Sequence, residues 1–159
     1  MDILLSFAKG LGPDFLLNER NGKIYFELLK DRVFAVRKRA IESLRNLIDI
    51  YGTQWFEKNM VPKIVTFQKI NNYLQREIFI FAVEAIAGAV SLDCLQKQLV
   101  PLLLTMTSDP VENIRYNSAK TLGVVAKFLK DLEPIRRTIK PLKEDKDIDV
   151  RTIAAKDER

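Results

Sequence analysis

Apolar and polar positions along this chain keep a helical beat that breaks off and restarts at regular intervals. From Val36 the apolar residues Ala40, Leu44, Leu47 and Ile48 follow at steps of three and four. From Leu74 the series runs Ile78, Phe81, Ala82, Ala85 and Ala89, and from Ile114 it runs Ser118, Leu122, Val125 and Leu129. Each series is the single apolar stripe of an amphipathic helix. Gly52, directly after Tyr51, is expected to end the first of these helices in a left-handed cap.

A fixed phrase precedes the stripes. "KDRVFAVRKRAIESL" begins at Lys30 and "SDPVENIRYNSAKTL" at Ser108, each with an Asp six residues ahead of an Arg and two apolar residues between. Aligned on Arg37, Arg76, Arg115 and Arg151, the steps are 39, 39 and 36, and Pro62, Pro101 and Pro141 step by 39 and 40. A period near 40 with helical patterning predicts stacked helix pairs. The expected array covers 1–159: a leftover second helix at 1–12, pairs at 13–52, 53–91 and 92–130, and a truncated pair at 131–159. Each proline falls in the first helix of its pair and should bend it, because an interior proline deletes a backbone hydrogen bond. Lys23 takes the proline's place in the first full pair.

Asp31, Asp109 and Asp145 fall in the turns between paired helices. There a carboxylate can accept from free backbone N–H groups and complement the helix dipole. The arginine six residues on lies in the first turn of the second helix, where its fork can reach a carboxylate of the same or the adjacent repeat. On the residues alone, Arg37, Arg76, Arg115 and Arg151 therefore read as a structural turn ladder with Asp31, Asp109 and Asp145. Phe34 and Tyr73 stand 39 apart, at equivalent places on neighbouring turns. Such a pair is either an exposed binding anchor or a hydrophobic staple over its own helix.

Composition narrows the chemistry. With 47% hydrophobic and 30% charged residues, the chain has the makings of a folded core rather than a disordered segment. It has no histidine and one cysteine, Cys94, which reads as a small buried residue and fits a reducing compartment, the cytoplasm or the nucleus. The most apolar run, Ile78 to Val90, carries Glu84 and falls short of the roughly 20 residues needed to cross a membrane, and Asp2 stands where a secretory signal would be basic. No catalytic constellation, phosphate-binding glycine loop or zinc spacing is present, so no enzymatic activity, cofactor or metal is expected. Asp145, Asp147 and Asp149 alternate without the glycine and final Glu of a calcium loop.

These residues resemble HEAT repeats, whose turn signature D-x-V-x-x-V-R, bent first helix and period they share. In order and almost without gaps, "DRVFAVRKRAIESLRNLIDIYGTQWFEKNMVPKIV", "NNYLQR", "LVPLLLTMTSDPVENIRYNSAKTLG" and "DKDIDVR" are similar to the C-terminal repeats of the scaffold (A) subunits of protein phosphatase 2A. The resemblance implies an all-α solenoid, a right-handed superhelix of about four stacked HEAT pairs. It also implies a non-catalytic scaffold that grips a phosphatase catalytic subunit through the ridge of turns, with a regulatory subunit taken by repeats further towards the N-terminus. Carried onto this chain, the ridge positions are Phe34, Arg37, Tyr73, Arg76, Val111, Asn113 and Ile148. Two residues depart from the pattern: Ile70 stands where the turn Asp is expected, leaving Asn71 or Asn72 to cap, and Glu112 puts a charge at the place of Phe34 and Tyr73. Two other readings share the fold: a HEAT adaptor for a different protein, and a helical-repeat array holding nucleic acid. The excess of basic residues, 26 against 21 acidic, gives a net charge of +5 and basic clusters at "VRKRA" and "IRRTIK". Acids interleave throughout and no set of base-reading side chains recurs, so nucleic-acid binding is not expected to survive physiological salt.

Overall fold

The structure, a computed structural model, describes residues 2–156; Met1 and residues 157–159 of the expected array lie outside them. Helices and turns make up the described residues, and no strand is found among them. A first helix, α1 (Asp2–Leu11), precedes a broken helix α2 (Asp14–Leu17) and α3 (Glu19–Leu29), which pairs with α4 (Phe34–Tyr51). Next come α5 (Thr53–Asn59), α6 (Val61–Ile64) and a 3-10 turn (Val65–Lys69), paired with α7 (Tyr73–Ile86). The third unit is α8 (Leu92–Cys94), a π turn (Leu95–Leu99) and α9 (Val100–Met106), facing α10 (Glu112–Ala126). The last is α11 (Glu133–Ile139) and a 3-10 turn (Lys140–Glu144), facing α12 (Ile148–Lys156).

The second helices carry the stack: α4 packs on α7, α7 on α10, and α10 on α12. Each contributes fully buried side chains, among them Leu44 and Leu47, Phe79 and Val83, Leu122 and Val125, then Val150. Burial between neighbours, rather than around one centre, is how a solenoid satisfies its apolar stripes. This is the all-α stack of helix pairs that the period predicts and that the resemblance to HEAT repeats implies.

The three prolines bend their helices by three local routes. Before Pro62 the helix lapses at Met60, before Pro101 the backbone widens into the π turn, and at Pro141 it tightens into a 3-10 turn. All relieve the same clash between the ring and the carbonyl a turn earlier. The first pair differs: α3 runs unbroken through Lys23, and the break sits at Asn18, whose side chain caps Arg20 N at 3.0 Å.

Two expectations need correcting. Gly52 has φ +84° and ψ 158°, an extended positive-φ conformation and not the compact left-handed one. It serves as a joint: its N–H donates to Ile48 O at 2.8 Å, and its carbonyl accepts from Phe56 N at 3.1 Å to open α5. The stripe read through α7 is also partly misplaced. Leu74 is exposed and Phe81 and Ala85 are half-buried, whereas Ile78, Phe79, Ala82, Val83 and Ile86 form the buried side. The segment is apolar nearly all round, so periodicity could not separate its two faces.

Buried polar groups pin the units together. Tyr25 Oη donates to Ala40 O at 3.1 Å and lies 2.9 Å from Ser43 Oγ, and burial pushes this phenol well above its ordinary pKa. Tyr51 Oη meets Ala8 O at 2.8 Å and Gly12 O at 3.0 Å, fastening the end of α1 to α4. Cys94 is buried, and its thiol pKa is raised to about 11, chiefly by that burial.

Candidate functional site

The four turns between paired helices share one construction. In each, the arginine of the second helix turns its Nη1 back onto two carbonyls of its own turn. Arg37 reaches Asp31 O at 2.9 Å and Arg32 O at 3.1 Å. Arg76 reaches Ile70 O at 2.9 Å and Asn71 O at 2.7 Å. Arg115 reaches Asp109 O at 2.9 Å and Pro110 O at 3.2 Å, and Arg151 reaches Asp145 O at 2.6 Å and Lys146 O at 3.1 Å. These carbonyls belong to the turn and have no helical partner, so the guanidinium stands in for one.

The turn carboxylates cap. Asp31 Oδ1 accepts from Val33 N at 2.8 Å, Asp109 Oδ1 from Val111 N at 2.9 Å, and Asp145 Oδ1 from Asp147 N at 2.9 Å. In the second pair, where Ile70 replaces the Asp, Asn72 caps Leu74 N at 3.0 Å. Two arginines also reach the next turn: Arg76 Nε and Nη2 grip Asp109 at 2.8 and 2.9 Å, and Arg115 grips Asp145 at 2.7 and 2.8 Å. Both are bidentate, and all four side chains are nearly buried. Arg115 holds the Asp145 carboxyl below the usual carboxylate range and is itself raised by Asp145.

Above this framework the turns present apolar side chains. Phe34 is 59% exposed, Tyr73 41% and Ile148 66%. Val111 is half-buried against the core, and Asn113 gives its Nδ2 to Glu77 Oε1. Arg76 lies below the surface on Asp109, so of the two ridge arginines Arg37 is the one without a carboxylate partner among the described residues. Val33 and Leu74 are exposed beside Phe34 and Tyr73, although the sequence pattern did not place them on the ridge. Their signal was adjacency to the aromatics, which the core stripe assigned to Leu74 masked.

Behind the ridge, α4 and α7 enclose a groove of about 270 Å³ lined by Phe34, Arg37, Ile41, Leu74, Ile78 and Phe81. Glu77 stands at its floor, 7% exposed, with Asn117 Nδ2 at 3.3 Å beside Asn113. Desolvation raises the Glu77 pKa, against smaller downward pulls from Arg37 and Asn117. No helix of the described residues is long and apolar enough to cross a membrane.

These paired helices and turn arginines define a HEAT-type solenoid, and a model of the HEAT repeat matches residues 99–129, which span α9 and α10. The chain is similar to the regulatory A subunit of protein phosphatase PP2A from Saccharomyces cerevisiae, with 32% identity over 123 residues, 70% of this chain and 19% of that protein. It is also 36% identical over 72 residues to the corresponding PP2A regulatory protein of Schizosaccharomyces pombe, 45% of this chain and 12% of that protein. The chain thus spans a fifth or less of the length of the relatives it matches.

Proposed function

We propose that this chain is a non-catalytic scaffold whose turn ridge binds the catalytic subunit of a 2A-type serine/threonine phosphatase. The observation that carries the proposal is the pair Phe34 and Tyr73, exposed at equivalent places on adjacent turns that are held rigid from beneath. Exposed aromatics on a fixed base are the usual anchors of a protein interface, and Ile148 extends the row to the last turn. Similarity to the PP2A regulatory A subunits supplies the partner class. Repeats of a longer scaffold would take a regulatory subunit. A cytoplasmic or nuclear site of action follows from the partner.

Replacing Phe34 and Tyr73 together by Ala tests the proposal. Each buried anchor is worth roughly 2 kcal/mol at an interface, so affinity for the catalytic subunit should fall several hundredfold. The melting temperature should hardly move, because both rings face solvent. Normal binding with an early melt would make the rings staples and remove the ridge as the contact surface.

A further inference from the structure

The turn ladder lacks one rung. Arg76 and Arg115 each spend Nη1 on their own turn and the Nε–Nη2 edge on the next turn's carboxylate. Arg37 makes the same Nη1 bonds, but the position one period before Asp109 is Ile70, which offers its edge no oxygen. Among the described residues no carboxylate is hydrogen-bonded or ion-paired to Arg37. Glu77 feels its charge without pairing with it. Among the described residues Arg151 also has no carboxylate partner and no further turn follows it, so within the described stack Arg37 is the arginine passed over.

The Arg37 fork is nevertheless already ordered. Two carbonyls hold it from one side, and the Phe34 ring lies 5.6 Å from its guanidinium carbon. A preorganised guanidinium loses little freedom when it takes a planar anion. It lines the apolar groove, as does Lys38. Lys120 and three acids, Glu42, Glu77 and Glu84, also line the groove, but each acid is engaged elsewhere. Glu84 accepts from Thr121 Oγ1 at 3.1 Å, Glu42 lies 3.8 Å from Arg39, and Glu77 accepts from Asn113 and Asn117, which leaves the Arg37 edge without a bonded carboxylate.

We propose that the Nε–Nη2 edge of Arg37 receives an Asp or Glu carboxylate from a protein partner, whose neighbouring apolar side chain enters the groove at Leu74, Ile78 and Phe81. The partner supplies in trans the rung that Asp109 and Asp145 supply in cis. The surface is the ridge of the proposed function, and the inference rests on that reading only for which protein brings the acid. Bidentate geometry fixes orientation as well as charge, and acidic segments are commonly read by arginines in this way.

The full chain can be tested by following arginine Nε–H resonances during titration with a terminally blocked peptide containing Glu-Glu-Leu-Leu, against a Gln-Gln-Leu-Leu control. The Arg37 signal should shift with the glutamate peptide alone, while those of Arg76 and Arg115 stay still. Ile70→Asp should restore the missing rung, bring the Arg37 signal close to those of Arg76 and Arg115, and weaken the peptide at least tenfold. Arg37→Lys keeps the charge without the fork and should show the same loss at the Leu74 amide. An unmoved Arg37 signal, an equal response to the glutamine peptide, or full peptide binding by both variants would overturn the proposal. Ile70→Asp should also lower affinity for the phosphatase catalytic subunit, by about tenfold, and equal binding there would overturn the catalytic subunit as the protein that brings the acid. If the unaltered chain ignores the catalytic subunit yet binds the peptide as expected, the choice of partner fails and the carboxylate site stands.

Discussion

At the scale of single residues, two carboxylates give opposite pH signatures. Asp145, bonded to Arg115, has a lowered pKa. Its contribution to stability is therefore complete above the unfolded value of about 4 and is lost as pH falls through the lower folded value. Glu77 has a raised pKa because burial outweighs the help of Arg37 and Asn117. Its charged form is a liability that grows as pH rises through the raised folded value. Glu77→Gln keeps an Oε1 acceptor for Asn113 and Asn117 and removes the buried charge. At pH 7 it should stabilise the fold, since the raised pKa shows that burial of the charge costs more than its partners return. Melts recorded between pH 7 and pH 4 should show the advantage shrinking as wild-type Glu77 protonates. A variant that melts early at pH 7 would mean that the Arg37 attraction outweighs desolvation.

At the scale of elements, the break between α2 and α3 shows how local rules are overridden. A glycine-to-alanine change inside a helix ordinarily gains about 1 kcal/mol. At Gly22 the added Cβ would lie 2.7 Å from the backbone oxygen of Leu16, which cannot swing aside like a flexible side chain. Gly22→Ala should therefore cost roughly 1 to 3 kcal/mol, despite the better helix propensity. Thermal unfolding of this variant measures which effect wins. The three prolines were readable as bends, but the first pair's break was not. It depends on Asn18 capping a new helix and on that close approach, neither of which has a periodic signature.

Over the whole molecule, the Arg–Asp rungs tie one pair to the next. Asp109 both caps Val111 N and neutralises the nearly buried Arg76. Asp109→Ala strands that cation and should cost about 3 kcal/mol. Because a solenoid's stability is a sum of nearest-neighbour terms, the damage should be local. Hydrogen exchange should quicken at the starts of α7 and α10 while the middle of α4 keeps its protection. Uniform loss along the chain would indicate one cooperative block instead.

The period near 40, the proline places, the Asp–Arg spacing and the all-α class were all present in the sequence, because they are carried by residue type and by separations along one chain. The aromatic pair was visible for the same reason. What the sequence left open was direction. Helix α7 is apolar on two faces, and only packing against α4 and α10 determined that Phe79, Ala82 and Val83 go inward while Leu74, Ile78 and Phe81 line a groove. The partners of the arginines were open too. An Arg at one turn meets a carboxylate 33 or 30 residues later, a distance along the chain that means nothing until the stack brings the turns together. The same stacking turns Ile70, an unremarkable residue in the sequence, into the missing partner of Arg37, because a rung exists only where two neighbouring turns both contribute to it.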